Sequence, residues 1–88
     1  MIIEDGHLKG VVTGFKNKET VFEFFDGSRW IQAEYKKHQH DAFMPHAIIK
    51  DVDGRYYIEI DGINDKVEVK RAEPWDNRQS VRIVSLEN

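Results

Sequence analysis

An Asp-Gly pair set between two aromatic-rich extended segments constrains this chain more than any other feature. Residues 20–25 (Thr-Val-Phe-Glu-Phe-Phe) run into Asp26-Gly27-Ser28 and out again through residues 29–35 (Arg-Trp-Ile-Gln-Ala-Glu-Tyr). Glycine accepts the positive φ that primed two-residue turns require, so Asp-Gly between alternating segments predicts a β-hairpin. Phe22 and Phe24 then share one face, with Val21, Glu23 and Phe25 on the other, and Trp30 and Gln32 alternate with Ile31 and Ala33. The pattern recurs downstream. Residues 46–52 lead through Asp53-Gly54 into residues 55–61, where Tyr56, Ile58 and Ile60 alternate with Arg55, Tyr57 and Glu59.

The rest of the chain keeps a period of two, with turn residues recurring roughly every 8 to 12 positions. Residues 8–15 hold Val11, Thr13 and Phe15 on one face, with Gly10 and Gly14 where a strand bends or another backbone approaches. Residues 66–72 set Val67 and Val69 between charged neighbours, and residues 80–86 offer a last strand with Val81 and Ile83 opposite Val84 and Leu86. Only residues 36–44 and 74–79 lack alternation, and both contain breakers, so at most one short helical turn is expected. The class is all-β: a small SH3-like barrel or a curled antiparallel meander of six to seven strands. One domain, residues 1–88, is expected, with its core barrel over residues 8–72 and residues 73–88 as an extension carrying a further strand.

Composition narrows the functions. Sixteen acidic and 13 basic residues are mixed along the chain for a formal charge of -3, so no broad positive field attracts a phosphate backbone and nucleic acid is set aside as a partner. With no cysteine, disulfides, thiolate metal sites and cysteine nucleophiles are excluded. No run of about 20 apolar residues is present, and Met1-Ile2-Ile3 leads straight into Glu4-Asp5, so a cytoplasmic protein without a membrane partner is expected. A chain this short buries only roughly 60 to 65% of its unfolded surface, and pairing with a second copy both buries more and covers open strand edges. A homo-oligomer follows as an expectation.

Gly14-Phe15, residues 21–24 (Val-Phe-Glu-Phe), Asp26-Gly27-Ser28, Trp30, Gln32, Tyr35, Pro45, Tyr57 and Gly62 together form a wider pattern over residues 12–71. It resembles a family of short bacterial β-proteins, some of them carried on integron gene cassettes. The resemblance implies an SH3-like all-β fold and a tendency to associate, and it brings no catalytic residues. Between Tyr35 and Pro45 this chain departs from it: relatives alternate tyrosines there, whereas Lys36-Lys37-His38-Gln39-His40-Asp41 is polar and ionic.

That stretch holds most of the candidate chemistry. On an extended segment His38 and His40 project from one face about 7 Å apart, with Asp41 and His46 nearby, a donor set suited to Zn or Ni but without a known ligand spacing. The bland alternative is a solvated strand, and metal is therefore left as a minor reading and no cofactor is expected. The same imidazoles change charge in mildly acidic solution and can bias an interface. Arg29, Trp30, Tyr35, Lys36 and Lys37 combine rings with cations, as base-stacking grooves do, yet Trp30, beside a turn in a strand that must bury something large, suits a core better. Carboxylates Glu23, Glu34 and Glu59 could meet across strands as an acid/base pair, but no serine sits in a nucleophile context, so catalysis is not expected. Trp75, after Pro74 in a polar stretch, suits a plug over the core or an anchor in a neighbouring subunit. The reading is a self-associating, non-catalytic interaction module for protein or peptide, with Trp30, Tyr35, Lys37, His38, His40, Phe43 and Trp75 as binding candidates. The alternative is a barrel binding a small molecule or single-stranded nucleic acid on the surface from Trp30 to His46.

Overall fold

The computed structural model describes residues 1–72. These form eight strands, β1 (Ile2–His7), β2 (Val11–Phe15), β3 (Val21–Glu23), β4 (Arg29–Gln32), β5 (His38–Phe43), β6 (His46–Val52), β7 (Arg55–Ile60) and β8 (Lys66–Arg71), and no helix. All pairings are antiparallel: six strands make one sheet in the order β1-β6-β7-β8-β4-β3, and β2 with β5 makes a separate two-stranded ribbon. The expected strand of residues 80–86, the domain extension of residues 73–88 and Trp75 lie outside the described residues.

The alternation seen in the sequence decides which side chains go inside. Phe22, Phe24, Trp30, Ile49, Ile58, Ile60, Val67 and Val69 are buried from successive strands, joined by Leu8, Phe15, Ala47 and Ile63. Each large aliphatic or aromatic group removed from water contributes about 1.5–3 kcal/mol, set against the entropy of ordering the chain. Trp30 is the largest fully buried side chain, with the Tyr56 ring edge-on at 5.3 Å and the Arg71 guanidinium 4.6 Å over its face.

The two Asp-Gly hairpins form by different turns. Val52 pairs with Arg55, leaving Asp53 and Gly54 as a two-residue loop with φ of 54° and 86°, the primed type I turn that the sequence predicts. In the first hairpin the Gly27 amide donates to Phe24 O at 2.9 Å and Phe24 N donates to Ser28 O at 2.9 Å, so the loop is Phe25-Asp26-Gly27. Only Gly27 in it has positive φ. This is a three-residue loop, a tight turn followed by one left-handed residue. Asp26 accepts from Ser28 N instead of turning left-handed itself.

Two strands exceed the sequence expectation. Strand β1 lies ahead of residue 8, so the sheet begins before the expected core boundary; it pairs along β6 with a bulge near Ile3, and its residues Ile2 to His7 show no clean alternation. Strand β5 occupies the stretch of residues 36–45 that the sequence leaves open between strand, loop and helical turn. Its pattern is hidden because it pairs only with β2 and carries a bulge: His40 and Asp41 lie between the Gln39 and Ala42 pairings, across from Thr13 alone. The expected strand of residues 8–15 is also divided. Gly10, at φ 71°, lies between Leu8, which bridges to Phe24, and the start of β2 at Val11.

The first and last strands of the sheet approach each other. Leu8 and Phe24 form one isolated bridge, Lys9 N donates to Glu23 O at 2.8 Å, and Phe25 N donates to His7 O at 3.1 Å. Farther along, the Ser28 hydroxyl donates to Glu4 at 3.0 Å. Burial and the neighbouring Asp26 carboxyl hold the Glu4 carboxyl above its ordinary range, while the Ser28 amide and the Glu4 carboxyl lower that of Asp26. The six strands thus form an open antiparallel meander whose two edge strands touch through these few contacts.

Candidate functional site

The segment after β4 is fixed by one buried amide. Gln32 is 0% exposed, yet its carbonyl accepts from Lys16 N at 3.2 Å and its amide donates to Glu34 O at 2.9 Å and Lys36 O at 2.8 Å. A buried amide is tolerated when such partners replace water. The neighbouring even-numbered side chains also bind inward: the Glu34 carboxylate accepts from Glu68 N at 2.8 Å, and Lys36 Nζ donates to Lys66 O at 2.6 Å and meets Asp65 at 3.3 Å. The Lys66 amide first, and Lys36 second, hold the Asp65 carboxyl below its ordinary range. Tyr35, 73% exposed, and the exposed Lys37 are left facing solvent. They line a depression of about 520 Å³ with Lys16, Asn17, Thr13 and Gln39, and Phe15 lies at its base.

Phe43 faces elsewhere. At the corner where the ribbon leaves the sheet, Phe43, Phe25, Met44 and His7 surround a shallow depression of about 540 Å³. Phe43 is 68% exposed, Phe25 56% and Val11, paired across from Phe43, 69%. Met44 holds a φ of 48°, its carbonyl accepts from His7 Nδ1 at 2.9 Å, and its amide donates to Gly10 O at 2.8 Å. The corner is therefore tied to β1 and to the start of β2.

The histidines separate. His46 Nε2 meets the Asp5 carboxylate at 2.6 Å, its Nδ1 lies 3.7 Å from Asp61, and the His7 ring stands edge-on with its centroid 5.6 Å away. The hydrogen bond to Asp5 raises the His46 pKa above its ordinary value of 6.5, against a smaller desolvation effect. His38 lies against Phe15, with ring centroids 6.4 Å apart, and the His40 ring rests where a Cβ on Gly62 would intrude. Gly62, at φ 93°, therefore accommodates that ring as well as the turn. Among the described residues no group of three or more His, Cys, Asp or Glu side chains is placed to hold a metal ion, so His38, His40 and His46 are not assembled into one.

The candidate residues thus divide between two faces. Tyr35 and Lys37 share the cationic depression, Phe43 belongs to the apolar corner, and His38 and His40 flank the base of the ribbon. Trp30 is a correction: fully buried beneath Arg71 and beside Tyr56, it presents no face to a ligand. Lys16, His7, Phe25, Met44 and Val11 were missed as surface candidates. A signal existed for Phe25, which falls on the outward side of the alternation; for His7 and Lys16 the partners lie 37 and 16 residues away. No helix among the described residues is long and apolar enough to cross a membrane.

Comparison with known proteins adds no assignment. No family model, no curated protein and no solved structure matches the chain.

Proposed function

We propose that the chain is a non-catalytic, self-associating interaction module, a small SH3-like barrel akin to the integron-cassette β-proteins it resembles. Its docking face is the apolar corner of the ribbon. The observation that carries this reading is the grouping of exposed Phe25, Phe43 and Met44 around one depression, with Val11 beside them. Contiguous apolar surface on a small domain is where partners dock. A second copy is the occupant the reading commits to, because a two-fold axis sets one patch against itself and a short chain gains much from shared burial. Support for the barrel comes from the contact of the two sheet edges, where Leu8 and Phe24 bridge the outermost strands.

Light scattering on the full chain tests the proposal. A mass above that of one chain is expected at high protein concentration, falling toward one chain in Phe43→Ser with an unchanged circular dichroism spectrum. Stability of the variant should stay within about 0.5 kcal/mol when compared as monomers, since the ring is exposed. A wild-type chain that stays monomeric at high concentration overturns the self-association, and so does an unchanged mass in the variant.

A further inference from the structure

The depression between the turn after β2 and the segment after β4 has three properties that belong together. Its walls are pre-set: the single amide of Gln32 binds Lys16 N on one side and the carbonyls on either side of Tyr35 on the other. A site whose walls are held before binding loses less freedom when a ligand arrives. Its charge is unspent. Lys9, Lys36 and Lys50 each pair with a carboxylate, whereas among the described residues Lys16 and Lys37 pair with none. Its size is that of a small-ligand site, about 520 Å³ against the roughly 300–1,000 Å³ that such sites span.

We infer that this depression binds a small planar organic anion, an aromatic carboxylate, with its ring against Tyr35 and its carboxylate between Lys16 and Lys37. The amide side chains of Asn17 and Gln39 and the hydroxyl of Thr13 line the same space and supply neutral donors. A ring alone would leave the two ammonium groups unused, and a bare anion would find two solvated ammonium groups, each a weak partner in water. Only a ligand that carries both features uses both sets of residues. The net charge of the chain is -3, yet the depression is lined by two lysines and no carboxylate, a local balance that favours an anion over a cation. The site is on a different face from the apolar corner, and it stands or falls independently of self-association.

Amide chemical-shift titration of the full chain with benzoate provides the test, with acetate and phenol as probes for charge without ring and ring without charge. Benzoate is expected to give saturable shifts at Lys16, Tyr35 and Lys37, with acetate and phenol each at least about fivefold weaker. The Lys16→Met/Lys37→Met double variant, altered only at exposed positions, should weaken benzoate by at least about fivefold while keeping its dispersed spectrum. Tyr35→Ala should weaken benzoate while leaving the acetate response unchanged. Shifts that fail to saturate, an acetate response equal to that of benzoate, or a double variant that binds as wild type does would each overturn the assignment.

Discussion

The six-stranded sheet and the two-stranded ribbon are built from the same kind of residues and use them in opposite ways. In the sheet, Phe22, Phe24, Trp30, Ile49, Ile58, Val67 and Val69 all turn to one interior, and successive pairings support one another across β6, β7 and β8. In the ribbon Phe15 is the one fully buried hydrophobic side chain, while Val11 and Phe43 face outward opposite each other. A two-stranded ribbon has little stability of its own in water, so its position depends on where it is tied to the sheet. Those ties are few and specific: Phe15 packed edge-on to Phe22 at 6.2 Å, His7 Nδ1 on Met44 O, and Gln32 on Lys16 N. Stability resides in one region and surface chemistry in the other.

Three changes test that division, beginning with the largest. Trp30→Ala removes the largest fully buried side chain of the core and is expected to cost about 3–5 kcal/mol in urea unfolding; a loss below about 1 kcal/mol would mean that the core does not depend on this ring. Gln32→Leu acts at the join. It leaves Lys16 N, Glu34 O and Lys36 O without their partner, for an expected loss of about 1–3 kcal/mol. It should also bring faster amide exchange at Lys16 and Lys37 than in the sheet; uniform loosening of both regions would contradict the separation. The smallest effect is at the rim, in Asp5→Asn. The folded pKa of His46 is raised, so its contribution is fully present below the unfolded imidazole value and is lost as pH rises through the folded value. The midpoint difference between wild type and Asp5→Asn should therefore shrink between about pH 6 and about pH 9. A difference independent of pH would show that the His46 pairing adds nothing, as exposed ion pairs often do.

Much of the sheet was legible because burial on one face writes itself as alternation. Phe22 and Phe24, Ile58 and Ile60, and Val67 and Val69 lie inside as their spacing predicts. The Asp-Gly pairs marked both hairpins, but the turn class depended on register: Asp53 adopts positive φ because Val52 and Arg55 pair directly, whereas the register that sets Phe24 opposite Ser28 leaves three residues for the first loop. Strands β1 and β5 were not legible, since each carries a bulge that breaks the period. The candidate surfaces were half visible. Tyr35 and Lys37 could be singled out by residue type, but Lys16 reaches the same depression only because Gln32 joins two distant segments, a contact with no local sequence signature.

Residues 32–37 have a further consequence, for how this molecule can change. Gln32, Glu34 and Lys36 do the fastening, and Tyr35 and Lys37 alternate with them facing out. Attachment and address are written on alternate letters of one short word. Replacing an outward letter alters what the surface offers while the fastenings hold, so a new specificity can be written here without first rebuilding the fold.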